Sequence, residues 1–148
     1  ARIINVSSMA HQGARLDFDN LQNERGYTSF DAYGQSKLAN IYFTYELARR
    51  LDGSGVTANC LHPGFVATNF GKSNGGISIL IFKLAHLAAI SPERGAQTSI
   101  YLAASPDVEG VNGKYFDNRR AVTSSVVSYD EKTAIRLWQV SLEMTGLI

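Results

Sequence analysis

The sequence predicts an α/β fold, on three observations. A β-branched run, Ile3 to Val6, ends in the polar stretch "SSMAH"; a helical pattern runs from Asp31 to Leu51; and "VTANCLHPG" follows as a second short strand. Strand, long helix and strand in that order read as a βαβ unit, with parallel strands and a right-handed crossover.

Each element has a local reason. Ile3 to Val6 is a buried strand that delivers serines at its C-terminal end. From Gln12 to Ser29 the sequence is polar and without sustained period, a loop with one helical turn. In the next segment Leu38, Ile41, Tyr42, Tyr45, Leu47 and Leu51 fall near helical spacing, and the glycines of "DGSG" suit a helix end. Pro63 stops the second strand, because proline cannot donate to a ladder and disfavours helix in the residue before it. Phe65 to Ile90 is glycine-rich and then apolar, the composition of a flap leading into a greasy short helix, with the "SNGG" glycines as its hinge. Ser91, Pro92 and Glu93 start a helix that runs to about Ala104: serine caps, proline is tolerated in the first turn, and glutamate suits the positive end of the dipole. "NGKYFDN" is a glycine-led strand, and Tyr129 to Met144, opening with Asp130 and Glu131, is a final helix.

Composition narrows the function classes. The 148 residues are 45% hydrophobic and 18% charged, which is globular usage and the size of one domain. Net charge is +1 and the basic residues form no long run, so nucleic acid is not an expected partner. Cys60 is the single cysteine, leaving no disulfide and no zinc pair, as in a reducing cytoplasmic compartment; it reads as a small buried apolar residue. The longest apolar stretch, Ile77 to Ile90, is interrupted by Lys83 and His86 and is shorter than the ~20 residues a membrane span needs. No basic segment followed by an apolar run opens the chain, and "ARIINVSS" begins without methionine, as the interior of a longer chain does.

The stretch "DAYGQSKLAN" places Tyr33 and Lys37 four apart, hence on one helix face. A phenol is a poor proton-transfer group near neutral pH unless a positive charge favours the phenolate. Lys37 supplies such a charge to Tyr33. The spacing alone is weak; its context is a strand ending in Ser7 and Ser8, whose hydroxyls suit a carbonyl oxygen, and a second strand ending in the turn "HPGFVAT" at the same edge. Ligands of open α/β sheets lie beyond the C-terminal ends of the strands.

In this order and spacing, "INVSSMAH", "YGQSK" with Tyr33 placed 25 residues after Ser8, and "HPGFVAT" resemble the catalytic half of the short-chain dehydrogenases/reductases. "SPERGAQTSIYLA", "GKYF" and "EKTAIRLWQVS" resemble its retinol dehydrogenase-like branch. The resemblance covers essentially the whole chain and implies a Rossmann-like fold, a three-layer doubly wound parallel sheet, of which residues 1–148 are the second half. It implies hydride transfer between a nicotinamide and the carbonyl or alcohol carbon of a small hydrophobic substrate. Ser8 would bond the substrate oxygen, Tyr33 would give or take the proton, and Lys37 would ease proton loss from Tyr33 while bonding the nicotinamide ribose. Tyr33 and Lys37 thus also belong to the cofactor site, together with Pro63, Gly64, Val66 and Thr68 of the turn. Gly64 suits a backbone that approaches a flat ring or a phosphate. The branch implies NADP, with NAD left open, as are a homo-oligomer and membrane association through an upstream segment.

The pattern also departs from the family. Its first half, with the TGxxxGxG turn, the NNAG segment and the catalytic asparagine, has no counterpart in these residues. The dinucleotide-binding half is therefore missing from the sequence, and the alternative function is an inactive interaction or dimerisation module. An isolated second half exposes the edge of its first strand and is expected to be poorly soluble unless paired. Asn40, one turn beyond Lys37, is a weak stand-in for the asparagine.

Rival chemistries fail on spacing. "GKS" at Gly71 to Ser73 lacks the P-loop glycine, since Val66 stands there. His11, His62 and His86 match no metal-ligand spacing. His62 reads as a strand-end residue and His11 as the donor or acceptor of a loop-stabilising hydrogen bond.

Overall fold

The computed structural model describes residues 1–66 and 89–147. Among them β1 (Arg2–Val6), β2 (Thr57–His62), β3 (Tyr115–Asp117) and β4 (Arg120–Val122) form one sheet in the order β1-β2-β3-β4. The first three run parallel, and β4 returns antiparallel on β3. The expected strand–helix–strand unit is present, with the helix α1 (Ser29–Arg50) joining β1 to β2.

Alternation along the strands builds the layers. Cys60 and Tyr115, register neighbours on β2 and β3, close over Ile41 and Tyr45 of α1. The next pair, Leu61 and Phe116, faces the opposite way onto Leu102, Val108 and Ile4. Leu102 belongs to the helix α3 (Gln97–Ala104), which follows the short α2 (Pro92–Gly95). Fully burying a side chain of this size contributes about 1.5–3 kcal/mol. Cys60 is wholly buried and its thiol is pushed up to about 12 by desolvation, so it behaves as the small apolar residue the sequence suggests.

A further apolar cluster, Leu38, Tyr42 and Ala134, joins α1 to the last helix, α4 (Glu131–Thr145). Phe43 and Trp138 stack at 5.4 Å across the same contact, and the Arg50 guanidinium lies 4.5 Å over the Trp138 ring. Beside it Glu46, almost fully buried, meets Arg49 and Arg50 at 2.7 Å each.

Several buried polar groups are paired in sequence-distant ways. The Asn59 amide donates to the Val111 carbonyl at 2.7 Å and its oxygen accepts the Lys114 N–H at 2.9 Å. Asn112 accepts the Ala58 N–H at 2.8 Å and donates to the Ala48 carbonyl at 3.0 Å. These two asparagines stitch β2 to the chain entering β3. Near the Tyr45 phenol runs a chain of hydroxyls whose direction is set by its end. The Ser125 carbonyl only accepts, so Ser128 donates to it (2.6 Å), Ser124 donates to Ser128 (2.6 Å), and Tyr45 donates to Ser124 (2.8 Å). Burial raises the Tyr45 phenol above its ordinary range, which keeps that donor protonated.

Three elements differ from the sequence expectation. The helix begun at Ser91, whose hydroxyl accepts the Arg94 N–H at 3.3 Å, breaks at Ala96. A Cβ on Gly95 would lie 2.5 Å from Val66 Cγ2, so Val66 seats against this turn, where only glycine leaves room; the helix resumes at Gln97. The final helix begins at Glu131, because Asp130 caps it by accepting from the Lys132 N–H (3.2 Å) and the Thr133 hydroxyl (2.6 Å), and Val126–Tyr129 form a 3-10 turn. The strand β4 has no counterpart in the expectation. It is reached through Asn118 and Arg119 at φ 46 and 63, a two-residue turn with both residues left-handed.

The β1 strand lies at one edge of the sheet. Ala1 and Ser7 direct backbone bonds at β2, so by the two-residue period Val6 directs its carbonyl outward. There it accepts Asn40 Nδ2 at 3.1 Å and Lys37 Nζ at 3.5 Å. Most of the expected flap, Ile77 to Ile90, lies outside the described residues. Its flanks are joined: Val66 and Ile90 form a parallel bridge, and the Ile90 N–H donates to the Phe65 carbonyl at 2.8 Å. No helix among the described residues is long and apolar enough to cross a membrane.

Candidate active site

Two residues past the end of β1, Ser8 caps a 3-10 turn, Met9–His11. The Ser8 hydroxyl accepts the Ala10 N–H at 3.2 Å, which uses one lone pair and leaves the O–H able to donate outward. Ser7 has a different task. It is buried, donates to the Lys37 carbonyl at 2.7 Å, and its N–H bonds the Leu61 carbonyl at 2.8 Å. Of the two serines, the half-buried Ser8 is the one a ligand reaches.

Tyr33 and Lys37 stand in the first turns of α1 and share a face, as the spacing requires. The Lys37 ammonium lies 5.4 Å from the Tyr33 ring centroid, within cation–π range, and 3.5 Å from the Val6 carbonyl. Ser8, Tyr33 and Lys37 are therefore brought to the C-terminal end of β1. Asn40 is not placed to stand in for the asparagine, since its amide holds the Val6 carbonyl.

The helix sits close to the serine turn because of one glycine. A Cβ on Gly34 would lie 2.9 Å from the Ala10 carbonyl oxygen, a backbone atom that cannot swing aside. Helix propensity favours alanine over glycine by about 1 kcal/mol, while overpacking costs about 1–3 kcal/mol. The contact decides the sign here. Gly34→Ala is expected to lose about 1 kcal/mol and Gly34→Val about 2–3 kcal/mol in denaturant unfolding; a stabilised Gly34→Ala would show that the two backbones do not touch.

Of the expected cofactor residues, Pro63, Gly64 and Val66 follow β2 at the same edge, and Thr68 lies outside the described residues. Gly64 has φ 86, a left-handed backbone that favours glycine, and a Cβ there would also lie 2.8 Å from Ile90 Cδ1. The Val66 side chain packs on Gly95. At the end of β2, His62 Nδ1 accepts the Met9 N–H at 3.3 Å, tying the second strand to the serine turn.

His11 is completely buried, with its ring edge on Tyr115 at 5.0 Å. Desolvation is the main cause that holds both His11 and His62 below the ordinary histidine range; the Ser8 carbonyl opposes it at His11 and the Asp117 charge opposes it at His62. Above about pH 6.5 these rings are neutral in both folded and unfolded chains. Below it the unfolded chain binds protons that the folded chain does not, so stability falls as pH falls toward the folded values. A lower melting temperature at pH 5.5 than at pH 7.5, with a smaller drop in His11→Phe, is the expected result; an equal drop would place the sensitivity elsewhere. Among the described residues no three His, Cys, Asp or Glu side chains gather to hold a metal ion.

The contribution of Gly34 was legible only as the residue after Tyr33, and that of His11 only as the end of "SSMAH". The distant partners, Ala10 and the Ser124–Ser128 turn, carry no local signal.

Comparison with known proteins gives the class first. A crystal structure of an uncharacterized protein from Mycobacterium Paratuberculosis superposes with a TM-score of 0.74 at 32% identity, over 98% of this chain and 50% of that one. 3-Oxoacyl-[acyl-carrier protein] reductase from Brucella melitensis, 21% identical with a TM-score of 0.54, shares the α/β fold. A family profile described as Enoyl-(Acyl carrier protein) reductase matches residues 2–117, and the chain belongs to that family, the short-chain dehydrogenases/reductases. Within it, Retinol dehydrogenase 14 of Homo sapiens is 45% identical over 152 residues, covering 100% of this chain and 45% of the relative. Polyprenol dehydrogenase of Homo sapiens is 44% identical over 151 residues, covering 100% and 46%. The chain thus spans about half the length of the curated relatives it matches. The family is one of NAD(P)-dependent oxidoreductases.

Proposed function

We propose that these residues are the catalytic half of an NADP-dependent oxidoreductase acting on a hydrophobic alcohol or carbonyl compound. The observation that supports the reading is the Lys37 ammonium, 5.4 Å from the Tyr33 ring and 3.5 Å from the Val6 carbonyl, beside the strand end that Ser8 follows. Ser8 donates its hydroxyl proton to the substrate oxygen. Tyr33 gives a proton to that oxygen in reduction and takes it in oxidation, with the Lys37 ammonium beside its ring. The Lys37 contact to Val6, at 3.5 Å, is at the long limit of a hydrogen bond, so a ribose hydroxyl can take its place. Bound there, a nicotinamide supplies the hydride acceptor or donor that no side chain provides. Pro63, Gly64 and Val66, which follow β2, would border it, and Thr68 of the same sequence motif is proposed to join them. The names retinol dehydrogenase and polyprenol dehydrogenase support an apolar alcohol or its carbonyl as the substrate class.

The test is a fluorescence titration with NADPH and with NADH, on this chain and on the polypeptide encoded by its complete gene, alongside turnover of a long-chain aldehyde. Tighter binding of NADPH and turnover in the complete polypeptide are expected. Neither binding nor turnover in either form would sink the reading and leave the interaction module.

A further inference from the structure

The turn after Ser8 is held by two imidazole rings, and both act in their neutral form. His11 Nε2 lies 3.0 Å from the Ser125 backbone nitrogen, whose N–H can only donate, so this ring nitrogen carries no proton. A neutral imidazole must then carry its proton on Nδ1, which lies 2.6 Å from the Ser8 carbonyl oxygen and donates to it. From the other side, His62 Nδ1 accepts the Met9 N–H. Thus the carbonyl of Ser8, the following N–H and the Ser8 hydroxyl are each fixed: by His11, by His62 and by the Ala10 N–H.

His11 is itself wholly buried and braced at a distance, because Ser125 belongs to the segment that also bonds Tyr45 through Ser124 and Ser128. The ring touches no face that a substrate reaches. We propose that His11 is a positioning residue: as the Nδ1-protonated tautomer, braced on Ser125, it holds the Ser8 peptide and so sets the direction in which Ser8 presents its hydroxyl to the substrate oxygen. This rests on the role given to Ser8 above. The titratable groups on the elements packed against the turn include Asp31, Tyr33 and Lys37 of α1, Cys60 and His62 of β2, Tyr115 and Asp117 of β3, and Tyr129, whose hydroxyl accepts the Ser124 N–H; protonation of His11 Nε2 would set two donors against each other at Ser125.

Two substitutions separate the two bonds. The amide nitrogen of His11→Asn takes the place of Nδ1 and keeps the bond to Ser8 while losing Ser125. The amide oxygen of His11→Gln takes the place of Nε2 and keeps Ser125 while losing the side-chain bond to Ser8, whose carbonyl then keeps only the backbone N–H of residue 11, at 3.2 Å. In the polypeptide encoded by the complete gene, assayed with decanal and NADPH, His11→Gln is expected to lower kcat by about tenfold or more with KM within about twofold. His11→Asn is expected to keep kcat within about threefold of the parent although its melting temperature falls. A merely structural ring gives the opposite pattern, kcat following melting temperature in both variants, and that outcome overturns the proposal. Nitrogen-15 NMR of the unmutated polypeptide at pH 7.5 gives a readout independent of turnover: the Nδ1–H tautomer of His11 is required, and an Nε2–H or doubly protonated ring overturns the proposal as well. If Tyr33→Phe retained full turnover, the reading of the whole site would fall with it; an inactive Tyr33→Phe beside equal His11 variants would overturn the positioning role alone.

Discussion

Tyr33→Phe, in the polypeptide encoded by the complete gene, is expected to lower kcat by about 10²–10⁴-fold, the usual contribution of one positioned proton-transfer group. The substitution removes one hydroxyl and keeps the ring that faces the Lys37 ammonium at 5.4 Å. The helix around it is unchanged, with Gly34 still against Ala10 and Ser7 still bonded to the Lys37 carbonyl. Affinity for NADPH is therefore expected to stay within about threefold, and the loss to appear in kcat and kcat/KM together, as it does for a group used only in the transition state. Ser8→Ala should share that pattern, whereas Ser7→Ala should lose stability through its buried bond and retain turnover per folded molecule. Tyr33→Phe within tenfold of the parent would mean that the proton comes from another group.

The second large effect concerns stability. Asn59→Asp is expected to destabilise the fold by about 3–5 kcal/mol at pH 7. Asn59 is 5% exposed and uses both ends of its amide. An aspartate still accepts from Lys114 N–H, but it turns a second acceptor toward the Val111 carbonyl and places a charge where water cannot solvate it. Desolvation raises the folded pKa of such a carboxyl above its unfolded value near 3.9. The sign follows: as pH falls toward the unfolded value the protonated acid regains a donor for Val111, and the deficit relative to the parent at the same pH narrows. Urea unfolding of both proteins at pH 7 and pH 5 measures this. A small deficit that does not change with pH would show that Asn59 is wetter than its contacts indicate.

How much was legible depends on whether the cause was local. The α1 helix was readable because its core residues recur at the helical period, and the same period puts Tyr33 and Lys37 on one face. β1 and β2 were readable as apolar runs, and the order of strand, helix and strand brought Ser8 to the edge where Tyr33 stands. Causes distant in sequence were invisible. Nothing near Gly95 announces Val66, which seats on it, and nothing near His11 announces Ser125. The missed hairpin has another reason. Its turn residues, Asn118 and Arg119, are both left-handed, and arginine is not a residue one reads as a turn former. Here the Arg119 N–H is held by the Thr98 hydroxyl at 3.2 Å, so tertiary contact supplies what glycine would have supplied locally.

The bridge between Val66 and Ile90 also bears on how this scaffold can diversify. A stretch whose two ends are hydrogen-bonded to each other is, thermodynamically, an already closed loop, and doubling its length adds only about 0.6 kcal/mol of closure entropy. Length and composition between the two anchors are thereby decoupled from the register of β2 and from the packing of Val66 on Gly95. Changes of length or sequence between these two anchors are therefore expected to leave in place the framework that holds Ser8, Tyr33 and Lys37.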